Sequence, residues 1–229
     1  MLRVFALRLL YNIYMFYFDD FCGYKVLISD YITDIDAFFT TRNGFDFDVL
    51  NATRVITPTQ THSDNVEFAD ERVEYPNTDG LIFSKKGDAG YLRFADCTPL
   101  IFYNSKTGMA AISHAGWRGT AQRIGVKTVE KMGGNPKDIT VLIGSAIGKC
   151  CYEVSIEVKD KLLGTVKNKG GLSDGRYVDL KTINARQLEE IGVVNIDICP
   201  YCTSCDNDLF YSYRKENGTE NRHYAVVKI

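Results

Sequence analysis

The chain has 229 residues, 45% of them hydrophobic and 24% charged, a balance that excludes a disordered or fibrous chain and suits one soluble globular domain. A net charge of -2 provides no broad basic field, so nucleic acid is not expected as a partner, although a local basic pocket for a phosphate-bearing small molecule stays open. Seven cysteines with no convincing export signal ahead of them point to a cytoplasmic chain whose thiols are mostly reduced.

Residues 1–18, MLRVFALRLLYNIYMFYF, are apolar and carry Arg3, but Arg8 and Asn12 interrupt the run and no small-residue cleavage site follows. The run is too short and too broken to span a membrane; a buried first strand or an amphipathic segment is expected. Strand-length apolar runs then recur, bounded by Gly, Asp, Asn or Pro: YKVLISDYI, DAFFTTR, RVITPT, GLIFS, GYLRFAD, PLIFYN, MAAISHA, ITVLIGSA, VNIDIC and YAVVKI. Three segments carry helical periodicity instead. Residues 119–132 place Ala121, Ile124, Val129 and Met132 near one face before Gly133–Gly134. Residues 153–163 align Val154, Val158 and Leu162 ahead of Gly164, and residues 181–191 hold Ile183, Leu188 and Ile191 ahead of Gly192. KNKGGLSDG, 167–175, is expected as a surface loop. Runs of strands followed by separated helices predict a single α+β domain over residues 1–229.

Chemistry concentrates in three stretches. TQTHSDN supplies His62, FADC supplies Cys97, and SHAGWRG supplies His114, two of only three histidines. Their separations are too wide for a zinc finger but suit a site assembled from several strand ends. Imidazole and thiolate are the donors a borderline-soft divalent ion takes, so Zn²⁺ or Cu²⁺ is expected, with a fourth position left for water or substrate. Gly116 and Gly119 follow His114 and precede the helix expected from 119, whose N-terminal amides, with the Arg118 guanidinium, would form an anion cradle.

Two further features are ambiguous in sequence. GSAIGKCCYEV, 144–154, matches neither phosphate-loop nor dinucleotide spacing, so tight strand–helix packing is its expected role. CPYCTSC places Cys199, Cys202 and Cys205 at repeated CxxC spacing. A zinc knuckle there would need a fourth ligand, the nearest being Cys150 and Cys151; simple thiols near the main pocket are the expected reading. His223 is expected at the surface near the last strand.

TQTHSDNV, TDGLIF, ADCTPLIFYN, HAGWRGT, GSAIGKCCYEV, CT at 202 and YSYRK resemble, in order, the successive blocks of the YfiH/laccase-domain family. Its members are described formerly as multicopper polyphenol oxidases and now as purine nucleoside phosphorylases. The resemblance runs from about residue 38 to the end, leaving residues 1–20, Cys199 and Cys205 outside it. It implies an α+β fold of mixed sheets flanked by helices, and one metal per subunit on His62, Cys97 and His114. It also implies phosphorolysis of adenosine, inosine and guanosine, cleavage of methylthioadenosine, and adenosine deamination. The partners would then be purine nucleosides and inorganic phosphate, and the protein a monomer or small homo-oligomer. On this reading Arg118, Arg42 and Gln60 are candidate substrate contacts, and Asp96 could orient a ligand, hold a ribose hydroxyl or move a proton beside Cys97. Relative to the family, only DFDVLNATRVITP separates TTRNGF from the TQTHS block, which would shorten one pocket wall.

Three rival readings use the same residues. Laccase chemistry on phenols needs several coppers and about ten histidines, against three here. A cysteine hydrolase would use Cys97 as nucleophile and His114 or His62 as base, and the family resemblance implies peptidoglycan precursors as its substrates. A non-enzymatic metal-sensing module needs only the ligands. The zinc deaminase signature is absent, since no histidine has Glu two positions on.

Overall fold

The structure, a computed structural model, describes residues 16–72 and 74–229. Two six-stranded mixed sheets face each other. In chain order the strands are β1 (Phe16–Phe21), β2 (Tyr24–Ser29), β3 (Asp36–Thr40), β4 (Arg54–Ile56), β5 (Val66–Phe68), β6 (Gly80–Phe83), β7 (Asp88–Phe94), β8 (Thr98–Asn104), β9 (Met109–Ala115), β10 (Ile139–Ile143), β11 (Ser173–Asp174), β12 (Tyr177–Val178), β13 (Asn195–Ile198) and β14 (His223–Lys228). The first sheet runs β1-β2-β3-β14-β7-β4 and the second β13-β10-β8-β9-β6-β5. The pairs β4–β7, β5–β6 and β10–β13 are parallel and the remaining pairs within these two sheets antiparallel.

The apolar runs form strands because both their faces are covered. Every residue of β8, TPLIFYN, is buried: Ile101 and Tyr103 face the first sheet, while Leu100 and Phe102 face the helices. A continuous apolar strand, rather than an alternating one, follows from that double burial. The helices are α1 (Trp117–Ala121), α2 (Ile124–Met132), α3 (Ile156–Leu163) and α4 (Leu180–Glu190). The Ser155 hydroxyl caps α3 by accepting from the Val158 amide, and the Asp179 carboxylate caps α4 through the Thr182 amide.

Four expectations change. The helix foreseen over 119–132 starts at Trp117 and splits in two, because Arg123 takes a left-handed conformation (φ 60°) that no α-helix propagates. KNKGGLSDG is not simply loop: Leu172 is buried in a satellite core and Ser173–Asp174 pairs with Tyr177–Val178. Gly144 serves strand packing across the sheets rather than strand–helix packing, since a Cβ there would lie 2.4 Å from the Phe39 ring. His223 is fully buried, not at the surface. It sits on the inward face of β14 with Ala225 and Val227, between the rings of Phe94 and Phe210. The expectation for residues 1–18 falls largely outside the described residues; of these, Phe16 to Phe18 belong to β1, with Phe16 buried.

Neither ring nitrogen of His223 has a hydrogen-bond partner among the described residues. Burial, with the nearby Arg222 charge, pushes its pKa from 6.5 down to about 3. The folded pKa lies below the unfolded one, so stability is lost as pH falls from 6.5 toward 3. Between pH 8 and pH 5 this group is expected to cost the wild-type fold about 2 kcal/mol, a loss that His223→Leu should escape. Urea unfolding at both pH values checks it; parallel losses in the two proteins would contradict a buried neutral imidazole.

Candidate metal centre

The site forms where the chain changes sheets. The short connection Ala95–Asp96–Cys97 leads from β7 in the first sheet to β8 in the second, and the loop 57–65 leads from β4 to β5 across the same divide. His114 lies near the end of β9, beside β8. Cys97, His62 and His114, remote in sequence, thus meet at one end of the sandwich, with their ligand atoms all within 4.8 Å of one another. The two imidazole rings are 4.7 Å apart and near perpendicular, at 76°.

Asp79, just ahead of β6, organises this corner. Its buried carboxylate accepts the amides of Thr61, His62 and Ser63 at 3.1, 3.1 and 2.7 Å, and the Ser63 hydroxyl at 2.8 Å. It also holds His114 Nδ1 at 2.7 Å, leaving Nε2 as the nitrogen free to ligate. A carboxylate behind a ligating histidine fixes the tautomer and ring orientation. The three gripped amides also hold His62 at φ 61°, a left-handed conformation that costs a non-glycine residue about 1–3 kcal/mol.

The electrostatics are mutually reinforcing. Burial alone would raise the Cys97 thiol, but the His114 and His62 imidazoles bring it down to about 6. Burial alone would lower His114; the Cys97 thiolate and Asp79 carry it up to about 9. Burial likewise opposes the Asp79 charge, and the His114 hydrogen bond and surrounding donors hold it near 2. A thiolate and two imidazoles converging at ligand distance form a donor set that fits a tetrahedral zinc or copper ion with one open position.

Gly116 is part of the geometry. A Cβ there would lie 3.0 Å from Cys97 Sγ and 3.1 Å from His62 Cδ2. Gly116→Ala should push two ligands apart and weaken metal binding roughly tenfold, about 1.4 kcal/mol, as read by competition with a chelator; unchanged affinity would show the corner to be more pliant than these distances imply.

The ligands open into a cleft of ≈ 920 Å³ whose wall includes Gln60, Asp96, Tyr152 and Tyr213. Gln60 and Asp96, both expected near substrate, do line it, but their polar atoms hold protein. The Gln60 amide both donates to and accepts from the Arg93 backbone. Asp96, left-handed at φ 85°, accepts the Thr203 hydroxyl at 2.6 Å and the Arg214 amide at 2.7 Å. Arg42 is outside the cleft wall: it donates to the Asn207 carbonyl, pairs with Glu216 at 3.6 Å and packs on Tyr211. Arg118 is exposed, stacked 4.5 Å from the Trp117 ring, and the α1 helix behind it has only five residues, too short for the expected anion cradle. The arginines on the wall are instead Arg93, Arg214 and Arg222, none singled out by sequence. Arg214 lies in the YSYRK block and Arg93 four residues before Cys97, the sequence signals that could have found them.

A family profile described as multi-copper polyphenol oxidoreductase laccase matches residues 30–229. The chain belongs to that family. Similar relatives of this laccase-like family carry different names. The chain is 40% identical over 166 residues to "Purine nucleoside phosphorylase YlmD" of Geobacillus stearothermophilus, covering 66% of this chain and 60% of that protein. It is 32% identical to the YlmD of Bacillus subtilis, over 73% of this chain and 68% of that one. It is 30% identical to "Adenosine deaminase RL5" from an unknown prokaryotic organism, over 88% of this chain and 86% of that one. Among solved structures, Bacillus licheniformis YfiH superposes with TM-score 0.82 at 27% identity, covering 93% and 98% of the two chains. Geobacillus YlmD gives 0.81 at 28%, covering 94% and 99%. The α+β fold of mixed sheets is therefore the fold of these family members.

Proposed function

We propose that the chain is a metal-dependent purine nucleoside phosphorylase, acting in the cytoplasm on adenosine, inosine, guanosine and methylthioadenosine, with adenosine deamination as a second activity of the same cleft. The observation that carries this reading is the placement of a two-histidine, one-thiolate centre beside three arginines in a cleft large enough for a nucleoside. Relatives named for both activities support it. Seven free cysteines agree with a reducing compartment, and no helix among the described residues is long and apolar enough to cross a membrane.

In phosphorolysis an oxygen of inorganic phosphate attacks the anomeric carbon, the glycosidic C–N bond breaks, and the electron pair leaves with the purine, which takes up a proton. The wall arginines, Arg93, Arg214 and Arg222, bring positive charge to the cleft for phosphate, with Arg214 held by the Glu153 carbonyl and Arg222 by the Thr219 and Asn221 carbonyls. Tyr152 and Tyr213 offer aromatic faces for the base. Asp96 acts as a positioning residue, since its two oxygens fix Thr203 and Arg214. His62, Cys97 and His114 would hold a divalent ion, which would supply Lewis acidity to the reaction. Zinc or copper fits the donors equally.

Anaerobic incubation of each nucleoside with and without inorganic phosphate tests the reading. Free base and the matching sugar 1-phosphate (ribose 1-phosphate, or 5-methylthioribose 1-phosphate from methylthioadenosine) should form only with phosphate, and inosine should form from adenosine without it. Oxygen-dependent turnover of phenols with no base released would favour the oxidase implied by the family's description. The low thiol pKa of Cys97 also keeps the cysteine-hydrolase reading testable: turnover of a peptidoglycan precursor through an acyl-enzyme, in metal-free protein, would replace the phosphorylase reading.

A further inference from the structure

Four of the other cysteines gather in two loops, one of which also supplies Ile147 and Tyr152 to the cleft. The loop after β10 brings Cys150 and Cys151, and the loop after β13 brings Cys202 and Cys205, although the pairs are some fifty residues apart in sequence. The four Sγ atoms all lie within 4.8 Å of one another, with Cys205 Sγ 3.5 Å from both Cys150 and Cys151. A tetrahedral Zn(S)₄ centre with bonds near 2.3 Å sets its sulfurs about 3.8 Å apart, so these separations bracket the value needed. Cys199, the remaining cysteine of CPYCTSC, is not part of the group: it is fully buried, and burial pushes its thiol up to about 12.

The backbone is arranged around the sulfurs. The Gly148 amide donates to Cys202 Sγ at 3.1 Å, and a Cβ on Gly148 would stand 3.2 Å from Cys150 Sγ and 3.5 Å from Cys202 Sγ. A side chain there would press on both sulfurs, so glycine lets the turn close over the pair. The two loops are held in register by the Ala146–Cys202 bridge and by the Thr203 amide donating to the Ala146 carbonyl at 3.1 Å. Asp206 accepts the Cys202 amide at 2.8 Å. Amide donors on a ligand sulfur are the outer-shell support that thiolate metal centres use.

We propose that Cys150, Cys151, Cys202 and Cys205 form a second, all-thiolate zinc centre that staples the β10–α3 loop to the β13–β14 loop. The structural role follows from what those loops hold: Ile147 and Tyr152 line the cleft, and Thr203 anchors Asp96 beside Cys97. Four protein ligands leave no open position, the mark of a structural rather than a catalytic zinc. A disulfide fits less well, because sulfurs 3.5 Å apart are well beyond the bonded ~2.05 Å. Cys202 spaced three residues from Cys205 supplies the usual knuckle half, while the adjacent Cys150–Cys151 pair is an uncommon second half.

The test is metal stoichiometry on protein purified without oxygen, loaded with zinc and desalted. Wild type should hold two equivalents per chain, and Cys205→Ser and Cys150→Ser one each. Cys97→Ala should also hold one, and when loaded with cobalt this variant should show strong thiolate-to-cobalt charge transfer and the visible bands of a tetrahedral ion. Cys22→Ser, in the exposed β1–β2 turn, should keep two. One equivalent in wild type that Cys97→Ala removes, or an intact mass two hydrogens short from a disulfide among the four cysteines, would overturn the proposal. If the serine variants fail to fold, the cobalt spectrum of Cys97→Ala still decides. The outcome is independent of the phosphorylase reading, since nucleoside turnover can fail while the second equivalent stays bound.

Discussion

Cys97→Ala is expected to empty the His62–Cys97–His114 centre and to bring both phosphorolysis and deamination to background. The thiolate is the single anionic ligand of the three, and the two imidazoles that remain are 4.7 Å apart at the ring centres with no third donor from this set. Cys97 is only half-buried at the sheet crossover, so its side chain is a small part of the core, and the melting temperature should lie within a few degrees of that of metal-free wild type. Metal content, melting and turnover on the same sample separate a lost ligand from a lost fold. Unchanged turnover in a variant lacking this metal would remove the ion from the reaction.

Asp79→Asn should be nearly as damaging, for a different reason. Asp79 accepts from three amides, one hydroxyl and one imidazole, and the isosteric amide turns one accepting oxygen into a donor facing donors. Each buried donor left unpaired costs about 1–3 kcal/mol, so a total loss of roughly 3–5 kcal/mol is expected, in line with breaking a buried charged pair. His62 loses the restraint on its left-handed backbone and His114 loses the acceptor on Nδ1, which should weaken metal binding about 10–100-fold. The carboxyl is held near 2, below its ordinary 3.8, so the stability it supplies is complete above the ordinary value and fades as pH falls toward 2. Wild type should therefore lose more stability in that acid window than Asp79→Asn, in which only the other titrating groups, buried His223 among them, contribute. Denaturant melts from pH 5 down to pH 2.5 measure both terms; matching acid profiles would mean that Asp79 is not a charged hub.

Much of this could be read along the chain. Each of the ten apolar runs contains a strand, because burial on both faces of a packed sheet leaves a continuous apolar signature that local composition preserves. His62, Cys97 and His114 stood out as rare donors in glycine- and polar-rich turns, and the structure brings them together. Asp79 was quoted within TDGLIF but had no visible role, since a carboxylate that serves as a hub is defined by who faces it. His223 was misjudged although its alternation with Ala225 and Val227 marks the inward face of β14; its polarity outweighed the period of two. The split at Arg123 could not be foreseen, because nothing about an arginine marks it for a left-handed conformation.

The arginines show the same division. Arg118 and Arg42 drew notice as candidate phosphate contacts in HAGWRGT and FTTRNGF; their guanidinium groups pack on the Trp117 and Tyr211 rings, and neither is among the residues that line the cleft. Arg93, Arg214 and Arg222 reach the wall because β7, the loop after β13 and the approach to β14 converge there. The four clustered cysteines depend on the same convergence: one loop supplies two, and a second loop, fifty residues on, supplies the others.

By itself, then, the sequence determined which segments become strands, which fold class they build and which side chains carry metal-binding chemistry, since hydrophobic period and donor type are properties of neighbouring residues. The tertiary structure alone decided which donor atoms come within 4.8 Å of one another, which carboxylate orients them and which arginines line the cleft. Those are relations between side chains far apart in the chain, fixed only when two sheets pack and the connections between them are drawn to one end.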